Sequence, residues 1–257
     1  MKLPKIIFGI DTVKAYEDYL ARAEKKDKSS NQPKQDIQVT AESDFWNIQG
    51  VQYRNGIYQV DLLKILLDNG AIRTQDQWAS FSEQARNNNG FYTPDMPLSH
   101  SLFTALYLNR NDPKTEEIRA FLKASMRNHW LATLTRIRYK PRGKDTIIHN
   151  HNLQDKLEIQ ENFIGSDELV KDSTSPNSYR ALLGTDNLQE INAVYQWINE
   201  TDAYLWRLNQ RSDSIDERVA RFNADSGRVS LGCLRDPQGS NSSLGVRFCA
   251  VRRNAEK

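Results

Sequence analysis

The sequence predicts an α+β fold, with helices mainly in the N-terminal half and short antiparallel strands mainly in the C-terminal half. Three observations predict it. Capped segments with helical spacing cluster between residues 61 and 130. Alternating runs rich in Thr, Ile, Val and Tyr recur from Leu131 onward. Helices thus come mainly early and strands mainly late, and no internal repeat is present.

Taken in order, Asp11 can cap a helix through Val13–Leu20, and the polar run Lys25–Lys34 reads as an exposed linker. Residues 1–50 are therefore expected to be a helical appendage and linker, with the main domain over 51–257. Val51–Val60 carries two alternating runs around Asn55-Gly56, the pattern of a tight hairpin. Asp61–Gly70 reads as a helix ending at a Gly cap. Thr74 with Gln77 forms a capping box that opens a helix through Trp78 and Phe81. Helices around Leu102–Leu108 and Thr115–Trp130 follow. Leu131–Tyr139 reads as a strand, Lys140–Lys144 as a turn and Thr146–His149 as the returning strand. Residues 152–184 are polar and broken, with a loop at Ser173–Ser178. Asp186 can cap a helix bearing Leu188, Ile191, Val194, Tyr195 and Ile198, whose spacing makes core packing the role of Tyr195 and Trp197. Strands are expected at Ala203–Leu208, around Arg228–Cys233 and at Gly245–Arg252.

Composition excludes several classes of function. Lys and Arg number 35 against 33 Asp and Glu, a formal charge of +2, so no basic bias of the nucleic-acid-binding kind is present. Mean hydropathy is −0.71. No apolar run approaches the roughly 18 residues of a membrane span. The apolar stretch near the N-terminus is shorter than a signal-peptide core and lacks a small-residue cleavage site. Synthesis in the cytoplasm is expected, which is compatible with later display on a particle or cell surface.

Cysteine and histidine usage points to no cofactor and no metal. Two cysteines, Cys233 and Cys249, make neither a disulfide scaffold nor a zinc motif. They could pair if their strands were adjacent. His149-Asn150-His151 spells a nuclease-like triplet, but a third ligand is missing nearby, so a polar pair at a strand end is expected. Phosphate-loop, dinucleotide-binding, serine-elbow and zincin motifs are all lacking. Nothing reads as a catalytic constellation.

The unevenness lies at Arg218–Arg252. Lys, Glu, Gln, Met and Trp make up about a fifth of the whole chain, so about seven are expected in these 35 residues, and only Gln238 occurs. Short Asn, Asp, Ser and Gly residues alternate there with Arg, Val, Leu and Phe. Small residues mark tight turns. They also make adaptable contact surfaces, as in antibody loops.

Trp206-Arg207-Leu208, Asp216–Phe222, Gly227-Arg228-Val229, Pro237-Gln238 and Leu244–Arg247 resemble the C-terminal variable region of proteins diversified by retroelements. The archaeal variable proteins of nanoarchaeal genomes and their mobile elements are the most similar group. Thr133–Arg136 and Ala193–Asn199 extend the similarity, which spans roughly Asn128–Arg253. The resemblance implies a C-type lectin fold of the formylglycine-generating-enzyme subtype, with a variable region at about 204–252. It also implies mutagenesis of template adenines, largely in AAY codons, which can become any NNY codon. NNY codons cannot encode Lys, Glu, Gln, Met or Trp, the five types depleted here.

The same resemblance implies diversified, ligand-binding positions at Asn223, Asp225, Ser226, Ser230, Gly232, Leu234, Arg235, Asp236, Gly239, Asn241 and Ser243. Framework positions would be Phe222, Arg228, Val229, Leu231, Pro237, Leu244, Val246 and Arg247. Alternation supports the division, because Val229, Leu231 and Cys233 share one strand face and Ser230, Gly232 and Leu234 the other. The expected function is non-catalytic binding of a protein or cell-surface ligand, with no nucleic acid and no membrane insertion. The alternative is an enzyme of the formylglycine-generating, sulfatase-modifying type. That chemistry needs two cysteines in a C-x4-C-like arrangement, whereas Cys233 and Cys249 have fifteen residues between them. The calcium-dependent sugar-binding triplets of true C-type lectins are also lacking. Asp236-Pro237-Gln238 has related letters in another order.

Overall fold

A computed structural model of the protein describes residues 37–239 and, beyond them, the backbone strands at 6–7, 10–11 and 251–255. The chain divides into two units, Met1–Asp36 and Ile37–Lys257. In the first, β1 (Ile6–Ile7) pairs antiparallel with β2 (Ile10–Asp11). The helix expected after Asp11 lies outside the described residues.

The second unit is α+β, with strands at both its beginning and its end. Its first sheet joins β3 (Val39–Ala41), β4 (Phe45–Tyr53) and β5 (Gly56–Leu63) in antiparallel order. The boundary expected after residue 50 falls inside β4. The hairpin is displaced by one residue from the Asn-Gly expectation. Arg54 and Asn55 form the loop, Arg54 at φ 52°, and Gly56 pairs with Tyr53. A Cβ on Gly56 would lie 2.9 Å from the outer end of the Tyr58 ring, so a larger residue there requires that ring to shift.

The helix expected over Asp61–Gly70 is not formed. β5 continues to Leu63, and only Leu67–Gly70 coils, as a short 3₁₀ turn. The cause is tertiary, since β5 is an interior strand flanked by β4 and, far along the chain, by β13 (Val251–Ala255). Both edges of its backbone are paired, and ladder bonds with Leu62 opposite Trp46 and Val251 outweigh a local helical pattern.

Three helices follow: α1 (Gln75–Asn87), α2 (Met96–Leu108) and α3 (Pro113–Asn128). The Thr74–Gln77 capping box of α1 forms as expected. Asp95 caps α2 by accepting from Leu98 N at 2.8 Å. Nine residues of α2 are buried, including Leu102, Phe103 and Leu106, so it is a core helix rather than a surface one.

The seven-stranded sheet comprises β6 (Leu131–Tyr139), β7 (Asp145–His149), β8 (Leu157–Glu161), β9 (Glu168–Leu169), β10 (Ala203–Trp206), β11 (Asp216–Ala224) and β12 (Val229–Arg235). Its order is β8-β7-β6-β11-β12-β10-β9. Helices α4 (Pro176–Leu183) and α5 (Leu188–Asn199) interrupt it, so helices are not confined to the N-terminal half. The strands are not all antiparallel either, because β10 runs parallel to β12. The loop expected at Ser173–Ser178 gives way to α4 at Pro176, a residue whose fixed φ suits a first helical turn. Asn187, next to the expected Asp186, caps α5. Tyr195 is buried and Trp197 packs partly against the core, as their spacing predicts. Phe103, Tyr195 and Phe222 form a triangle of rings with centroids 5.5–6.2 Å apart. Among the described residues, no helix is long and apolar enough to cross a membrane.

Candidate binding face

The register of β10, β12 and β11 sorts the C-terminal residues onto two faces. Leu205, Leu231 and Phe222 stand in one row, with Ala203, Val229 and Ala224 in the next. All six side chains, with Cys233, belong to the core. Directly opposed residues share a face. The other face therefore carries the rows Tyr204–Ser230–Asn223 and Trp206–Gly232–Arg221.

A bulge aims Arg221. The pairing of β11 shifts between Val219 and Arg221 against both β12 and β6. Val219 lies in the core, and plain alternation would put residue 221 there too. Between the paired positions β11 has one residue, Ala220, where β12 has two and β6 has three, so the extra residues lie on the partner strands. Past this irregularity Arg221 stands opposite Gly232, on the other face. Thr133 Oγ1 donates to Ala220 O at 2.9 Å, and Gln75 Nε2 donates to Thr133 O and Thr135 O at 2.9 and 3.2 Å. These bonds tie the irregular stretch of the ladder to the side chains of Thr133 and Gln75.

The face is lined with rings and guanidinium groups. Arg221 stacks on Trp130, 3.6 Å from the ring centroid, and Trp130 keeps 39% of its surface exposed. Arg228 lies over Tyr204 and Trp206 at 5.1 and 4.8 Å. Trp206 Nε1 donates to Ser230 Oγ at 3.1 Å. This aromatic–arginine set escaped the sequence reading. The Tyr204/Trp206 alternation was a usable signal, but its facing partners are set by strand pairing.

The resemblance-derived positions distribute unevenly. Asn223, Ser230 and Gly232 stand on this face, but Ser230 is only 5% exposed because Trp206 covers it. Leu234 is half-buried. Asp225 and Ser226 are exposed in the β11–β12 turn, where Asp225 Oδ1 accepts from Gly227 N and Arg228 N at 2.8 and 2.9 Å. Asp236 is exposed and accepts from Gln238 N at 2.9 Å. Arg235 does not point outward with them. It pairs opposite core residue Val219, is 7% exposed and donates to Gly239 O. Its odd-numbered parity with Leu231 and Cys233 is the reason. Gly239 is half-buried. Asn241 and Ser243, with framework residues Leu244, Val246 and Arg247, lie outside the described residues, as does Cys249.

Two polar clusters hold the ends of this region. Arg207, 6% exposed, reaches Glu168 at 3.1 Å and Ser178 Oγ at 3.2 Å, and Gly165 leaves room for its guanidinium. Arg136 bonds Gln75, Asp76 and Glu217 at 2.8, 2.7 and 3.1 Å. Gln75 N donates to Pro237 O at 3.2 Å, which ties the segment after β12 to the start of α1. Partial burial works to raise the Asp76 carboxyl pKa, but Arg136 and His151 outweigh it and hold it below its ordinary value.

The two histidines of the nuclease-like triplet have structural partners. His149 ends β7 and bonds Thr135 Oγ1 and Ala181 O at 3.0 and 2.8 Å. His151 lies 3.2 Å from Asp76. Among the described residues, no group of three or more His, Cys, Asp or Glu could hold a metal ion. Cys233 is buried, and burial pushes its thiol pKa up.

A comparison of the chain with family models, curated proteins and solved structures finds no match.

Proposed function

We propose that the protein is a non-catalytic ligand-binding protein diversified by a retroelement, presenting a hypervariable surface on a C-type lectin scaffold. The observation that carries this reading is the division of labour on β11 and β12. Core residues Phe222, Val229 and Leu231 occupy one face, while Asn223, Ser230 and Gly232 occupy the other. The depletion of Lys, Glu, Gln, Met and Trp over the same stretch supports it independently. A backbone held by its inner face, by the Arg207 cluster and by the Gln75–Pro237 bond can carry varied side chains at modest cost in ordering. The α+β architecture is compatible with the scaffold. The ligand is a protein or cell-surface molecule.

A formylglycine-generating activity requires reactive thiolates, and a buried thiol of raised pKa such as Cys233 is a poor nucleophile.

The test is to sequence the genomic neighbourhood of the gene. A reverse transcriptase and a near-copy of the 3′ coding region are expected, differing at adenines that map to the eleven positions named above. Absence of a template, or mismatches that fall elsewhere, overturns the reading.

A further inference from the structure

We propose that Arg221 is an anion subsite of the candidate binding face, seating a carboxylate of an acidic peptide, with residue 232 setting its pose. This rests on the reading of that face as ligand-binding. Arg207, Arg211, Arg218 and Arg228 each have a carboxylate within 4.0 Å: Glu168, Asp145, Asp216 and Asp225. Arg221 has none among the described residues, and its Nε and Nη1 are buried without a hydrogen-bond acceptor there. Asp236, the acid that follows β12 directly, is exposed and accepts from Gln238 N at 2.9 Å, and the stretch Pro237–Ala255 contains no Asp or Glu. Burial lowers the Arg221 pKa to about 10, which still leaves it a cation at neutral pH.

The setting suits a ligand. The Trp130 ring supports one side of the guanidinium, and such stacking presents a preformed charge. Gly232 lies directly beneath, where an added Cβ would come 3.1 Å from Arg221 Nε and 3.3 Å from its Cγ. A larger residue at 232 therefore shifts the guanidinium without touching its charge. Asn223 adds the second half of the recognition, since its buried Oδ1 has no donor among the described residues. A peptide carries both complements, an acidic side chain for Arg221 and a backbone N–H for Asn223; inorganic phosphate, whose P–OH can also donate, is the control for a small anion.

The experiment titrates the full chain with a short end-blocked Ala-Glu repeat peptide. The Arg221 Nε–H resonance and tryptophan fluorescence are followed. The Ala-Gln repeat and inorganic phosphate serve as comparison probes. Saturable binding of the Ala-Glu peptide is expected, weakened by salt. Arg221→Gln and Gly232→Val should each weaken it about ten-fold or more, with Arg221→Lys intermediate. Thermal melts report whether each variant is folded. The proposal is overturned by no saturable shift, by equal binding in Arg221→Gln, by equal affinity for Ala-Gln, or by phosphate competing as an equal. A template repeat without a carboxylate response sinks the subsite alone. A carboxylate response without a template sinks the retroelement reading alone.

Discussion

The two faces of β10, β12 and β11 share one backbone and one hydrogen-bond ladder, yet they do opposite work. On the inner face Leu205, Leu231 and Phe222 are fully buried, and Phe222 meets Phe103 and Tyr195 edge to face or tilted. On the other face Tyr204, Trp206, Arg228, Arg221 and Trp130 interleave rings with cations over the short residues Asn223, Ser230 and Gly232. The contrast teaches that the sheet takes its geometry from one side. The opposite side is then free to specialise, provided that its bulge and its far end are held by other elements. Gln75 performs both tasks, bonding Thr133 and Thr135 by its side chain and Pro237 by its backbone.

The largest effect that would break this contrast lies on the inner face. Phe222→Ala should cost about 3–5 kcal/mol, read from urea unfolding. A loss under about 1 kcal/mol would mean that the inner face does not hold the sheet. Next comes acid sensitivity beneath that face. His100 stacks on Tyr195, with Nδ1 3.2 Å from its hydroxyl, and burial lowers its pKa from 6.5 to about 4. The unfolded chain therefore binds a proton below pH 6.5 that the folded chain refuses until about pH 4. Stability should fall by roughly 3 kcal/mol across that window as pH drops. His100→Phe should flatten this part of the stability–pH profile, and an unchanged slope would refute the assignment.

Smaller effects sharpen the contrast on the variable side. Asp225→Val should cost about 1 kcal/mol, because the Asx turn loses its acceptor, whereas Asp225→Asn should be nearly silent. Ser226→Lys, one residue further along the same turn, should stay within about 0.5 kcal/mol. Thermal melts of the three variants measure all these differences. A costly Ser226→Lys would show that the turn is not free to vary.

Much of the fold was legible where local chemistry is decisive. The Thr74–Gln77 box, the Leu131–Tyr139 strand and the core helix carrying Tyr195 follow from caps and period. The failures share a cause. Asp61–Leu63 resembles a helix, but its partner Val251 is far along the chain. Arg221 has the parity of core residue Val219, but the register shift between them sets it opposite Gly232. Arg235 reads as a surface charge in a polar stretch, but it stands opposite Val219. Trp130 and Trp206 read as ordinary apolar residues, and only the order of strands β6-β11-β12-β10 puts them on the same face as Arg221.

Local chemistry sets the Thr74–Gln77 capping box, the strand alternation of Val229–Leu234 and the depletion of five residue types after Arg218. These depend on short-range geometry, because pleating separates neighbours onto opposite faces whatever lies beyond. Long-range packing sets which face is buried, where the register breaks and which arginines find carboxylates. Those outcomes depend on partners far away in the chain, whose positions no local pattern encodes.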